Sequence, residues 1–187
     1  MSKVIIAGDA SGTGTFTISA PNGNTDRVLS LPDEAGTVLT TAGVPASAMP
    51  AGSVIQVVQG TTINQTSTTS TSYVTTTLGA SITPSSTSSK ILVLITTSYT
   101  QGQANYGAFF TVFKNGSDLI SSTGFGNWYN NSGVYRGGIV LSYLDSPATT
   151  SSTTYALGIK SESASYTVST PSQSGALGVI TLMEIAG

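Results

Sequence analysis

Lys90-Ile-Leu-Val-Leu-Ile-Thr-Thr-Ser-Tyr99 is the densest apolar run in this chain: five consecutive aliphatic residues follow one lysine and give way to hydroxyl side chains. The run is short, rich in branched residues, and flanked by Pro84-Ser85-Ser86 and Gly102, which reads as a strand. β-Branched side chains lose rotamer freedom in a helix, and hydroxyls compete there with the backbone, so a helix is disfavoured. An unbroken aliphatic run predicts a strand buried on both faces, at the middle of a β-sheet core.

Outward from this strand, further segments alternate or cluster apolar residues between turn signals: Ser53–Gln59, Tyr73–Ile82, Tyr106–Lys114, Asp118–Ser121, Val134–Leu144, Thr154–Glu162, Tyr166–Ser169 and Leu177–Ile185. Asn115-Gly116 is the sharpest local signal, because both residues accept the positive φ of a type I′ turn and would join Phe109–Lys114 to Asp118–Ser121 as a hairpin. In Tyr106–Lys114, Phe109, Thr111 and Phe113 share one face and Phe110, Val112 and Lys114 the other. With a large apolar side chain on each, one face is expected to be core and the other an interface. No segment has helical period. About eight strands at short intervals predict an all-β protein, a jelly-roll-like β-sandwich over 53–187.

Residues 1–43 read differently. The short pieces Val4–Ala7, Thr15–Ser19, Val28–Leu31 and Thr37–Thr41 alternate with turn signals such as Pro21-Asn22-Gly23-Asn24 and Pro32-Asp33-Glu34-Ala35-Gly36. Such a unit buries too little surface to fold alone. It must lean on the rest of the chain, on another protein or on copies of itself, and wrapping around identical neighbours, which would cover its faces and its open edges, is the favoured reading. Gly43-Val-Pro-Ala-Ser-Ala-Met-Pro-Ala-Gly52 carries two prolines and small residues, giving a linker over 44–52.

Composition excludes much chemistry. Only 7% of residues are charged, and net charge is −2. Ser, Thr, Gly and Asn supply solubility instead, leaving little repulsion between copies. The cations Lys3, Arg27, Lys90, Lys114, Arg136 and Lys160 are scattered, so no basic stripe exists to neutralise a row of phosphates, and no nucleic-acid partner is expected. There is no cysteine and no histidine. Thiol chemistry is therefore absent, as are the usual general base and the commonest metal ligand. The start lacks a signal-peptide core, and no stretch is long enough to insert in a membrane. Asp33-Glu34 reads as a solvated turn rather than a catalytic carboxylate pair, and Ser89-Lys90 as a serine before an edge-capping lysine. No catalytic residue, cofactor or metal site is expected.

Binding is the remaining possibility. Gly124-Phe-Gly-Asn-Trp-Tyr-Asn-Asn-Ser-Gly133 holds the single tryptophan. Aromatic rings beside amides suit a saccharide, so Asn127, Trp128, Tyr129, Asn130 and Asn131 are the candidate glycan contacts. Trp128 packing over the end of the sandwich or between subunits is the plainer account. The loop Gln101–Tyr106 has the same polar-aromatic character. Glycosylation triplets stand at Asn64, Asn115 and Asn130, and carry little weight without a secretion signal.

Gly8-Asp-Ala-Ser-Gly-Thr-Gly-Thr-Phe-Thr-Ile-Ser-Ala-Pro21 and Arg27-Val-Leu-Ser-Leu-Pro-Asp-Glu-Ala-Gly-Thr-Val-Leu-Thr40 resemble the short repeat that opens many bacteriophage fibre-like virion proteins. Pro50-Ala-Gly-Ser-Val-Ile-Gln-Val-Val-Gln59, Ser81–Val93, Asp145-Ser-Pro147 with Thr154-Tyr155, and Thr181-Leu-Met-Glu-Ile-Ala186 look like the head domain of the same proteins. The resemblance implies a homotrimer with an extended, intertwined N-terminal β-stalk and three β-sandwich heads, displayed on the virion surface and partnered by other phage virion proteins of the capsid or tail. Only Met1–Ala7 precedes the repeat, which points to a small fibre, a head-mounted spike, or a capsid decoration (cement) protein. Lys3, Val4, Ile5 and Ile6 would anchor it. A carbohydrate-binding module for a host-surface glycan is the further alternative.

Overall fold

The computed structural model describes residues 11–14, 22–23, 28, 44, 48–120 and 123–187. The expected stalk strands (Val28 apart), Asp33-Glu34 and the anchoring residues Lys3, Val4, Ile5 and Ile6 lie outside the described residues. The chain divides into two compact units, Met1–Val38 and Leu39–Gly187. The architecture below belongs to the second.

It is all-β, with eleven strands among the described residues: β1 (Val54–Thr62), β2 (Thr66–Thr68), β3 (Val74–Ile82), β4 (Lys90–Gln101), β5 (Tyr106–Lys114), β6 (Ser117–Asp118), β7 (Asn127–Asn130), β8 (Tyr135–Asp145), β9 (Thr153–Ser161), β10 (Val168–Thr170) and β11 (Gly178–Ile185). They form two antiparallel sheets. In the first, β4 lies between β8 on one side and β11 with β10 on the other, and β1 and β2 complete the sheet. In the second, β9 lies between β3 and β5, and β6 and β7 pair with the far edge of β5. The long-range partners are nested: β1 with β11, β3 with β9, β4 with β8, and β5 with β7.

Alternation along the strands builds the core. Ile91, Val93, Ile95 and Tyr99 of β4 meet Phe110 and Val112 of β5, Leu157 and Ile159 of β9, and Ile180 and Leu182 of β11. The central position of β4 agrees with the sequence, but its burial on both faces does not. Its even-numbered residues point outward, where Leu92 and Leu94 are half-buried and Thr96 is exposed. One face of this aliphatic strand is covered by the opposite sheet, and among the described residues nothing covers the other.

The hairpin at Asn115-Gly116 forms as expected, with φ of 49° and 82°. It leads into a shorter strand than expected, Ser117–Asp118. Asn115 also fastens the turn to β9: its amide nitrogen donates to the Thr154 carbonyl at 2.9 Å, and its Oδ1 accepts from the Thr154 amide at 2.9 Å. In β5, Phe110 and Val112 face the core. The opposite face is largely covered within the chain, since Phe113 lies against Gly158 and Lys160 sits 4.9 Å from the Phe109 ring centre.

The two lateral sides of the sandwich differ. On one, β1 and β3 close together: a Cβ at Gly60 would lie 2.2 Å from the Gly79 carbonyl oxygen, and the Thr62 and Thr77 hydroxyls bond at 3.0 Å. On the other, β8 pairs with β4 through all eleven of its residues without a register shift, and among the described residues no strand pairs with its outer edge.

Candidate functional site

The predicted tryptophan loop contains a strand. β7 pairs with β5 in the register Tyr106↔Asn130, Gly107↔Tyr129, Ala108↔Trp128 and Phe109↔Asn127. Alternation therefore separates the candidate residues instead of gathering them. Trp128 turns inward with Ala108, packs on the core, and meets Phe110 edge-on at 5.1 Å and 84°. Tyr129 points outward and is 58% exposed, and Asn127 and Asn131 are exposed as well. The tryptophan is thus a packing residue, and the outward face retains Tyr129 with Asn127 beside it. Gly107 makes room for that amide, since a Cβ there would lie 1.8 Å from the Asn127 Oδ1. The Gly107 amide nitrogen donates to Glu162 at 2.6 Å.

Sequence reading singled out Tyr106 in the second candidate loop but missed Tyr99, Tyr135 and Tyr166 at this end. Tyr135, opposite Gln101 in the sheet, is 45% exposed and tilts against Tyr99 at 5.9 Å. Tyr99 packs edge-on against Phe110, so a continuous line of rings runs Tyr135–Tyr99–Phe110–Trp128. Burial, then the neighbouring Tyr135, pushes the Tyr99 phenol up to about 12. Tyr106 and Tyr166 stack with ring centres 3.8 Å apart, and the hydrogen bond to Tyr106 raises the Tyr166 phenol. At the end of β4, the buried Gln101 Nε2 donates across the following loop to the Tyr106 carbonyl, while its Oε1 has no hydrogen-bond partner. Aromatic residues spaced along separate strands give no local sequence signal. Only the sheet register brings them together.

Two polar clusters occupy the opposite end. Lys114 Nζ bonds both Asp145 oxygens at 2.9 and 3.1 Å, and the Tyr155 hydroxyl donates to Asp145 Oδ2 at 2.6 Å. Burial and that carboxylate push the Tyr155 phenol far up. The second cluster surrounds Glu184. Its buried Oε1 accepts from the Ser85 amide nitrogen at 2.7 Å, the Ser85 hydroxyl at 2.6 Å and the Ser89 hydroxyl at 2.7 Å, while Oε2 accepts from Gln56 Nε2 at 2.6 Å. Burial alone would raise this carboxyl, but the donors from Ser85, Gln56 and Ser89 outweigh it and hold the group below its ordinary value. Ser89 therefore serves Glu184, and Lys90 opens a central strand rather than capping an edge. A cleft of about 370 Å³ beside this cluster is lined by Met49, Ile55 and the serines 85, 86, 88 and 89.

The two ends differ in chemistry. The chain enters the sandwich and ends at the Glu184 end, where the Gly52 amide bonds Ala186 and the Ala186 amide bonds Ser53, each at 2.8 Å. The exposed tyrosines gather about twelve residues of β4 away, about 40 Å at strand rise. Among the described residues, no three of His, Cys, Asp and Glu come together in a metal-binding group. No protein-family model matches the chain, and no curated protein matches it in sequence.

Proposed function

We propose that this chain is a bacteriophage virion surface structural protein, a homotrimeric fibre or spike whose sandwich is the displayed head. The observation that carries the reading is the polarity of the sandwich: its chain entry and last strand are tied together at one end, and its exposed tyrosines gather at the other. A head held at one end and presenting the opposite one has this form. The nested order β1-β11-β4-β8 opposite β3-β9-β5-β7 supports a jelly-roll-like head. The charge-poor, hydroxyl-rich composition and the stalk-like repeat point the same way. Its partners are then copies of itself and the capsid or tail proteins that hold it.

Quantitative mass spectrometry of purified particles from the source culture tests this. The chain should co-purify with the capsid and tail proteins, in copy numbers divisible by three. Its absence from particles sinks the reading. Its presence with a marked loss of particle heat resistance on deletion would favour a cement protein over a displayed spike. A glycan-binding head is the second reading, favoured by the exposure of Tyr129 and Tyr135. It predicts that Tyr129→Ala abolishes host attachment while particles stay intact.

A further inference from the structure

The outward face of the first sheet is the surface with the least explained chemistry. The strand register aligns its side chains in rows across β8, β4, β11 and β1. One row reads Leu144–Leu92–Met183–Val57, the next Ser142–Leu94–Thr181–Gln59, and the third Val140–Thr96–Val179–Thr61. Ile185 and Val54 extend it beyond the first row. Val140 is 74% exposed, Val57 55% and Leu144 51%. No charged side chain stands in these three rows, and Lys90 and Arg136 lie beyond them at either end.

We infer that this face, continuing onto the bare edge of β8, is where copies of this chain pack against one another. Size is the first argument. Four strands about 4.8 Å apart, over seven residues of about 3.4 Å rise, give a footprint of about 450 Å². The largest apolar patch on a typical monomer is about 300–600 Å² and is often functional.

Chemistry is the second argument. The first row is aliphatic and the next two mix aliphatic with hydroxyl and amide side chains, all uncharged, so the best-matched partner is a similarly uncharged mixed surface, and this chain carries one. At 7% charged residues, copies meet with little repulsion. The third argument is the edge. Folded monomers protect edge strands with bulges, prolines or inward charges. β1 has a register shift near Val54 and closes against β3, whereas β8 runs regular for eleven residues with neither proline nor bulge.

The inference rests on the self-assembly in the proposed function and adds the surface through which the heads meet. The test uses the full chain. Val140→Lys with Leu144→Lys alters two exposed side chains, so circular dichroism should be unchanged while association weakens at least tenfold by sedimentation. Thr75→Lys with Ser81→Lys, on the exposed face of the other sheet, should leave association unaltered. Because the chain has no cysteine, Val140→Cys supplies the sole thiol. A bis-thiol reagent spanning about 10 Å, the spacing of packed sheets, should join two chains at that position but not at Ser81→Cys. An assembled wild type unaffected by the lysines and not cross-linked at 140 overturns this surface and leaves self-assembly standing. A wild type of one chain mass at every concentration overturns the copy as occupant, in favour of another protein or a segment of the same chain.

Discussion

Glu184 offers the sharpest quantitative test of how this sandwich is held together. Its side chain has 0% exposure, no Lys or Arg pairs with it among the described residues, and four hydrogen bonds converge on its two oxygens. Those bonds tie β1, through Gln56, and the 83–89 turn to the last strand. Glu184→Gln keeps the volume, so no cavity forms; it removes the charge and turns one acceptor oxygen into an NH2 donor set against the Gln56 or serine donors. Hydrogen bonds to an ionised acceptor contribute about twice as much as neutral ones, so the loss is about 1 kcal/mol per bond, or about 4 kcal/mol over the four. At about 2–4 °C per kcal/mol for a domain of this size, the melting temperature should fall by about 8–16 °C at pH 7. The folded carboxyl lies below its unfolded value near 4.5, so its stabilisation is fully present above that pH and is lost as pH falls through the folded value. The glutamine has no such proton to take up. Urea unfolding of both proteins at fixed concentration, at pH 7 and at about pH 3, should therefore show a gap that narrows in acid. A gap below about 1 kcal/mol at pH 7, or one independent of pH, would refute the assignment of an ionised, hydrogen-bonded carboxylate.

Other expectations follow from single contacts. Gly158→Ala would set a methyl 2.3 Å from the buried Phe113 ring and 2.7 Å from Thr111 Cγ2, costing about 1–3 kcal/mol by thermal melting. Gly60→Ala would press on the Gly79 carbonyl, a backbone atom in the closed seam, and should lower the melting temperature without touching the aromatic end. Trp128→Ala should destabilise by on the order of 2 kcal/mol, since the ring is partly buried on the core, whereas Tyr129→Ala should leave the melting temperature within about 2 °C. Only one ion pair, Lys114–Asp145, is present among the described residues, so raising salt from about 0.05 to 1 M should change stability by less than about 1 kcal/mol by screening.

Much of the sandwich was legible because its strands are long and bounded by turn residues. Tyr106–Lys114 matches β5 end to end, and the Asn115-Gly116 hairpin forms with the expected backbone. β2 and β7 were missed for a common reason: Thr-Ser-Thr and Asn-Trp-Tyr-Asn hold no alternating apolar pattern, and each becomes a strand only through a neighbouring strand's open backbone groups. Trp128 was read as a loop ring because its pairing with Ala108 depends on β5, a segment about twenty residues earlier. Glu184 could have been found. Ile180, Leu182 and Glu184 fall on one face at a period of two, which places a carboxylate on the buried side and demands donors for it.

The error at β4 is of another kind. Sequence reading asked for cover on both faces of Ile91–Ile95, and the described residues provide it on only one. An aliphatic run records that its side chains leave water, but it does not record whether the same chain or a copy excludes that water. Leu92 aligns with Leu144 and Met183, and Leu94 with Ser142 and Thr181, in rows without charge, next to an edge without proline or bulge. If copies pack there, the second face of β4 is buried after all, and the pattern in the sequence describes the assembly rather than the single chain. Low charge then has a structural reason, because every lysine or glutamate placed in those rows would have to be desolvated at the contact.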